Sequence, residues 1–568
     1  MERTVQVDKY AIAHRKRQKY VDEVVGARSN KKLVVAGPGT GKTHLFKAVL
    51  QGKTNTLTLT FVNALVADLS LELFGISDVK TLHGFARSQL ERVSGKSVNI
   101  FPKLSEIIKE DAGILLGKEI DFDHLFHNRI DNDPSLNFYK KRKDYYGHYG
   151  FSDLVYAVVL FFEQYQDKIP TYTQVVVDEF QDFNALEVSL IDLLAKKSPV
   201  LLAGDDDQAL YESLKCASAK HIRERHAEES AQYTCFNLPY CSRSTRVIID
   251  AVNDIIAHAK DNNLLLDRID KPYKYFEDAT KDVESEINPH IVYSRVFAKQ
   301  IPWFIQKQVK EITRQLREKF TVLVLSPTRT QCRGIFEMLK AKGFENVQFA
   351  EKGDIAQPSM LDGLKLLLLD DKCNLGWRIV SKKLLGSTTF EVLLRETESD
   401  GKAKDLYAVI DPILKKDVRR LLKALRSVRD GKQRLADDQL SDLFSKIGID
   451  PYEKIAQSLR DELASTSLYV ADPGIRRTSI TVTTIQSSKG LAADYVFITH
   501  FDDRYCVRDK KKGKLSDQDV CSFLVALTRA RKRVFLISTD KDKIPTFLQW
   551  IDGKRICEVE SPGSCDDI

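Results

Sequence analysis

The apolar run from Leu33 to Ala36 leads directly into Gly37-Pro38-Gly39-Thr40-Gly41-Lys42-Thr43 and then into the amphipathic stretch HLFKAVL. Strand, glycine-rich loop and helix thus follow one another in the order that lets backbone N–H groups wrap a phosphate at a helix N-terminus. Lys42 offers a point charge to the outer phosphates, and the Thr43 hydroxyl is suited to ligating magnesium. A chance glycine-rich turn has no reason to sit between a buried strand and a helix. This P-loop commits the surrounding chain to a parallel α/β sheet.

Two further strand ends supply matching chemistry. VVVDEFQD, from Val175 to Asp182, reads as a buried strand closing on a carboxylate pair. Asp178 is expected to hold the metal, and Glu179 to act as the general base that orients and deprotonates water. An acidic turn after a strand is ordinarily solvated, and it is the P-loop in the same chain that assigns this one a task. VLLAGDDDQALY, from Val200 to Tyr211, ends in Gly204-Asp205-Asp206-Asp207-Gln208, which places the Gln208 amide where it can touch both nucleotide and a neighbouring element.

Hydrophobic residues make up 43% of 568, enough for several cores. Short β-branched runs alternate with amphipathic stretches. Strands are expected at Lys32 to Ala36, Thr56 to Thr60, Gln174 to Val177 and Pro199 to Ala203. A second set is expected at Thr321 to Leu325, Ile480 to Thr484, Tyr495 to Thr499 and Val534 to Ser538. The predicted fold is α/β, with two RecA-like lobes of parallel sheet that each carry a mainly helical insertion. The first lobe is residues 1–88 and 172–235 with insertion 89–171; the second is 236–375 and 475–568 with insertion 376–474.

No apolar stretch approaches the ~18 residues of a membrane span, and the start MERTVQVDKY has no signal-peptide pattern, so a soluble, cytoplasmic protein is expected. The nine cysteines form no CxxC pair or Cys/His cluster, which argues for reduced thiols rather than zinc, an iron–sulfur cluster or disulfides. A net charge of +7 is modest for this length and says little by itself about a polyanionic partner.

From the P-loop to VALTRARKRV, the motifs resemble those of the UvrD/Rep-like (class A) superfamily 1 DNA helicases in kind and in order. LTLTFVNAL, Leu57 to Leu65, looks like motif Ia, and TLHGFA, Thr81 to Ala86, like the next DNA-contacting motif. GDDDQ resembles motif III, with Gln208 as the nucleotide-sensing glutamine. LPYCSRST, Leu238 to Thr245, resembles motif IV with Arg243 at its arginine. FTVLVLSPTRTQ resembles the opening of the second lobe. TIQSSKGLAADYVFI and VALTRARKRV resemble motifs V and VI, with Arg529 on the arginine finger. Two arginines from the far lobe can neutralise γ-phosphate charge only when the lobes close. The resemblance implies ATP and Mg2+ as cofactors. It places Gln18, Ala36, Gly37, Pro38, Gly39, Thr40, Gly41, Lys42, Thr43, Tyr240 and Gly490 at ATP, and Thr43 and Asp178 at the metal. It makes Lys42, Thr43, Asp178, Glu179, Gln208, Arg243 and Arg529 the catalytic set.

It further implies single-stranded DNA, or DNA with a single-stranded tail, as the track. Phe61, Asn63, His83, Phe85, Tyr211 and Gln486 are the expected contacts, with aromatic platforms for bases. Basic runs at Lys140 to Lys143, followed by Tyr145 and Tyr146, at Lys415 to Arg434 and at Arg508 to Lys514 are candidate phosphate contacts, although such runs are as often solvated faces. The chain departs from the family at Ser242, where an aromatic stacks on adenine, with Tyr240 two residues earlier. It departs at Ser213 in place of a base-stacking tryptophan, at Gln486 in place of histidine and at Ala492 in place of glutamate. The expected function is 3′–5′ translocation or unwinding in DNA repair or antiphage defence. The alternative is a DNA-sensing ATPase that regulates a separate nuclease, because the stretch after Val534 is too short to hold one. RNA as the track is the third reading.

Overall fold

The computed structural model describes residues 2–60, 63–210, 216–227, 232–316, 318–344, 346–350, 357–398, 403–429, 479–507 and 514–559. The chain divides into two compact units. One comprises Met1–Ala86, Val158–Lys352 and Gly474–Ile568; the other comprises Arg87–Ala157 and Gly353–Pro473. No described helix is long and apolar enough to cross a membrane, and the eight described cysteines are free.

The first unit holds two large, wholly parallel sheets. The first sheet is built from β1 (Lys31–Ala36), β2 (Thr56–Thr60), β3 (Asp78–Thr81), β4 (Gln174–Val177), β5 (Val200–Gly204) and β6 (Thr234–Leu238), in the order β3-β2-β4-β5-β1-β6. Every residue of β2, β4 and β5 is buried. Runs such as QVVV and TLTLT, apolar or hydroxylic on both faces, are what a strand covered on two sides requires. Because all six strands point the same way, the loops leaving β1, β4 and β5 open on one edge, where ligands of open α/β sheets bind. The long helix α1 (Glu2–Gly26) precedes β1, and α2 (Lys42–Leu50) follows the P-loop.

A two-stranded parallel pair, β7 (Tyr240–Cys241) with β8 (Lys274–Tyr275), leads into the second sheet. That sheet contains β9 (Ile291–Arg295), β10 (Thr321–Ser326), β11 (Val347–Phe349), β12 (Ser479–Thr484), β13 (Ala493–Thr499), β14 (Ala530–Ser538) and β15 (Ile556–Glu558). Their order is β11-β12-β10-β13-β14-β9-β15. β14 starts at Ala530 rather than at Val534. Arg531, Lys532 and Arg533 hide the beginning of the strand from a reading based on hydrophobicity, yet their segment pairs with Ala493 and Tyr495 across a bulge. The edge strand β3, with Asp78 and Lys80 among its four residues, is hidden for the same reason.

The second unit is helical among its described residues. It joins Leu104–Leu116, Phe122–His127 and Ser135–Tyr146 to Met360–Leu369, Asn374–Leu384, Ser387–Glu396 and Pro412–Arg429. At its centre the fully buried Asp111 accepts from two guanidiniums. Arg142 reaches Oδ2 at 3.0 and 2.8 Å, Arg378 reaches Oδ1 at 3.1 and 2.8 Å, and the Tyr146 hydroxyl adds a bond at 2.5 Å. Segments separated by more than 200 residues are thus tied through one carboxylate. Burial opposes its ionisation, but Arg378 and Arg142 hold the Asp111 carboxyl below its usual range. Its contribution to stability is therefore present above the unfolded-state value, near pH 4, and is lost as the pH falls through the lower folded-state value.

Removing one partner from such a cluster leaves buried charge uncompensated, at a cost of about 3–5 kcal/mol. Asp111→Ala is expected to lower the opening free energy of the Leu104–Leu116 and Asn374–Leu384 helices by that amount, measured by native-state hydrogen exchange. A change under about 1 kcal/mol, the scale of an exposed ion pair, would show that the cluster is not what holds this unit together.

Candidate nucleotide-binding site

Gly39 and Gly41 adopt φ of 72° and 98°, left-handed values open to glycine at no steric cost. Space decides as well as backbone angle. A Cβ on Gly39 would lie 2.4 Å from Cβ of Arg243, and one on Gly41 would lie 2.5 Å from a guanidinium nitrogen of Arg17. Gly41 caps α2 without a side-chain bond, and the first turn carries no acid, so the helix N-terminus is left ready for an anion. Lys42 Nζ stands 3.0 Å from Glu179 Oε1 and 4.0 Å from Asp178 Oδ1.

Those carboxylates lie at the end of β4, where Asp178 N donates to Leu59 O and Glu179 N donates to Asp178 Oδ1, both at 2.9 Å. Glu179 has φ 54°, a left-handed value that is strained for a residue with a Cβ and aims its carboxylate back at Lys42. Burial would raise both carboxyls. Lys42 and Lys489, with the bond from Gln181, overrule it at Glu179 and hold that group well below the usual range. At Asp178 burial prevails against Lys42, and the negative Glu179 helps push it up to about 7.

A chain of hydrogen bonds runs outward from Glu179. Gln181 Nε2 donates to Glu179 Oε2 at 2.6 Å, and Gln181 Oε1 accepts from Asp205 N at 2.9 Å. Asp205 Oδ2 accepts from Gln208 Nε2 at 2.7 Å, and Gln208 Oε1 accepts from Arg529 Nη2 at 3.0 Å. Gly204 makes room for this chain, since a Cβ there would meet Gln181 Oε1 at 2.6 Å. Arg529 is 3% exposed; burial, then Arg243, lowers it to about 10, so it remains charged at neutral pH. Arg243 is positioned by backbone. Ser244 Oγ donates to Ala530 O at 2.7 Å and Thr245 N to Arg531 O at 3.0 Å, which sets the motif IV segment beside the start of β14.

Gln181, Lys489, Lys271 and Arg268 join the site in space although no motif in the sequence marks them as site residues. Lys489 Nζ donates to Asp182 Oδ1 at 2.7 Å and to the Gln208 carbonyl. Lys271 stands 2.9, 2.5 and 3.0 Å from the carboxylates of Asp205, Asp206 and Asp207, and Arg268 Nε donates to Asp207 at 2.8 Å. The three aspartates lie within the spacing of a metal site, but an ammonium stands among them, so the cluster is an ion-pair nest. For Lys489 the only sequence signal was its place in SSKG, and for Lys271 and Arg268 there was none. Ion pairing across more than 60 residues has no local pattern.

The structure brings Lys42, Asp178, Glu179, Gln208, Arg243 and Arg529 together around the P-loop, with Thr43 on the first turn of α2 and Ala36 closing β1. Ser242 N donates to Gly39 O at 3.0 Å. Gly490, with φ 88°, is exposed in the turn between β12 and β13. Tyr240 is half-buried in a cavity beside Gly41. Gln18 is a correction: it lies on the exposed side of α1 and donates to Asp22 Oδ1 at 2.8 Å, because a continuous helix turns Arg17 and Tyr20, not Gln18, toward the cavity.

Phe85 is a second correction, since it is fully buried and cannot serve as a stacking platform. His83 is 4.0 Å from Glu187, and Gln486 lies half-buried in the turn after β12. Phe61, Tyr211 and Ser213 lie outside the described residues, as does the side chain of Asn63, which opens the helix Asn63–Glu72. Of the basic runs, Lys140 and Lys141 are exposed, but Arg142 is consumed by Asp111 and Tyr146 is buried with it. Residues 430–434 and 508–513 fall outside the description; Lys514 is exposed.

Residues 22–214 match the family model of an AAA domain, and residues 391–541 match that of the UvrD-like helicase C-terminal domain. The chain is 21% identical over 434 residues to the ATP-dependent DNA helicase PcrA of Staphylococcus epidermidis, covering 68% of this chain and 58% of that protein. It is 22% identical over 430 residues to PcrA of Staphylococcus aureus, with the same coverage. It is 31% identical over 128 residues to DNA helicase II of Haemophilus influenzae, covering 22% of this chain and 17% of that protein. The chain thus spans 58% of the length of the PcrA relatives it matches. A P-loop lobe, a second parallel lobe and both matched domain models, in the same order along one polypeptide, support a UvrD/Rep-like superfamily 1 helicase.

Proposed function

We propose that this chain hydrolyses ATP and uses the cycle to move 3′ to 5′ along single-stranded DNA, or to unwind DNA with a single-stranded tail. The observation that carries the reading is the bonded chain Glu179–Gln181–Asp205–Gln208–Arg529, which joins the residue placed as base in one lobe to the cation placed as finger in the other. Such a chain makes the geometry at the γ-phosphate depend on how the lobes are apposed. In this reading Lys42 and the α2 N-terminus hold the phosphates. Thr43 and Asp178 hold Mg2+, which would offset phosphate charge, and the donors left open at α2 beside a buried carboxylate fit both groups. Glu179 orients water, and Arg243 and Arg529 meet developing charge.

Residues 1–88 with 172–235 and 236–375 with 475–568 are the two lobes in this proposal; 89–171 and 376–474 are the insertions. The proposed setting is the cytoplasm, in DNA repair or antiphage defence. One observation favours the reading as a DNA-sensing ATPase that regulates a separate nuclease: burial of Phe85 removes an expected base platform while the hydrolytic residues stay assembled.

Turnover with single-stranded DNA, duplex DNA and RNA, followed by strand displacement with a 3′ or a 5′ tail, tests the proposal; absence of any stimulation by nucleic acid refutes a motor. Glu179→Gln is expected to lower kcat at least about 100-fold while nucleotide affinity stays within about threefold. Gln181→Met keeps the volume but cuts the bonded chain. A bond to a charged group is worth about 1.5–3 kcal/mol, so kcat should fall about tenfold to a hundredfold with KM nearly unchanged. An unchanged kcat in Gln181→Met would show that the chain does not carry the coupling.

A further inference from the structure

A small cavity borders the P-loop at Thr40 and Gly41, next to where phosphates would sit. Its walls come from Arg17 and Tyr20 of α1, His44 on the first turn of α2, and Tyr240. Tyr20 and Tyr240 meet edge to face at 5.9 Å, and Tyr240 meets Phe276 at 6.5 Å. Aromatic side chains at such a cavity suit a base rather than a phosphate. The cation in this slot is Arg17. Its guanidinium is half-buried, lies 4.9 Å from the centre of the Phe276 ring and crosses Gly41, and among the described residues no carboxylate pairs with it. The Gln18 amide faces outward and is engaged by Asp22.

We propose that Arg17 reads the base in this slot and that the site takes guanine as readily as adenine. The inference rests on the nucleotide-site reading above and names the substrate class of that site. One group that accepts from the amino nitrogen of adenine while donating to a ring nitrogen distinguishes it from guanine. A glutamine amide can do both, whereas an arginine has only donors. The guanidinium fork matches the adjacent O6 and N7 acceptors of guanine in a bidentate bond; on adenine it can serve one ring acceptor and then meets the amino group donor to donor. Stacking on the aromatic walls is indifferent to which purine is bound. The Gln18 amide, which could make both bonds to adenine, lies outside the slot.

Steady-state turnover of the full chain with MgATP and MgGTP, in the presence of single-stranded DNA, tests this directly. The expected kcat/KM for GTP is no more than tenfold below that for ATP; a larger deficit overturns the inference while leaving the ATPase reading intact. Hydrolysis of neither nucleotide, with no binding of fluorescent ATP or GTP analogues, overturns the underlying site reading instead. Arg17→Ala should lower kcat/KM for GTP at least tenfold more than for ATP. Arg17→Lys, which keeps the charge but loses the fork, should shift the ratio the same way and serves if the alanine variant does not fold. An equal loss for both nucleotides in these variants assigns Arg17 to a phosphate or to the packing of α1 and refutes the proposal. Gln18→Ala should leave the GTP to ATP ratio unchanged, and a changed ratio likewise refutes it.

Discussion

The P-loop site depends on a run of buried polar contacts that begins at one carboxylate and ends at one guanidinium. Glu179 is held by Gln181, Gln181 by the Asp205 backbone, Asp205 by Gln208, and Gln208 by Arg529. Each group would be costly to bury alone, and each is satisfied only while its neighbours stay in register. Loss of any one strands the next. The register of β4, β5 and β14 is thereby tied to the position of a few oxygen and nitrogen atoms, and the strained backbone at Glu179 persists because its surroundings over-determine it.

Charge burial is the second theme. Lys271 among three aspartates and Lys489 on Asp182 place ammonium groups inside the first unit, next to the bonded chain. Arg142 and Arg378 on Asp111 do the same inside the second unit. Such clusters contribute less to net stability than apolar packing of equal volume would, but they tolerate only one geometry. They suit places where distant segments must meet in a single way, such as a turn gripped by another lobe or two insertions joined in one helical unit.

Much of this was readable from local pattern. Glycines at a strand end, paired carboxylates and β-branched runs act over a few residues, so β2 and β4 were placed to the residue and the P-loop needed no neighbour to be recognised. Errors came where a residue's neighbours in space outweighed its neighbours in sequence. Phe85 in TLHGFA looked like a surface aromatic and is core. Arg142 in a basic run looked like a phosphate contact and is an internal counter-ion. Gln18 stood near the expected spacing, but a helix advances about 100° per residue, so the next position faces the cavity instead.

By itself, then, the sequence determined the local chemistry available: a phosphate-loop pattern, paired carboxylates at a strand end and the parallel sheets that present them. These follow from steric and hydrogen-bonding rules that operate within a strand and its adjoining turn. Only the tertiary structure decided which buried cations answer which acids, that Gln181 and Gln208 link Glu179 to Arg529, and that Arg17 rather than Gln18 borders the cavity beside Gly41. Those outcomes depend on contacts between residues tens to hundreds of positions apart, whose partners are chosen by packing and by the cost of leaving a buried charge unpaired.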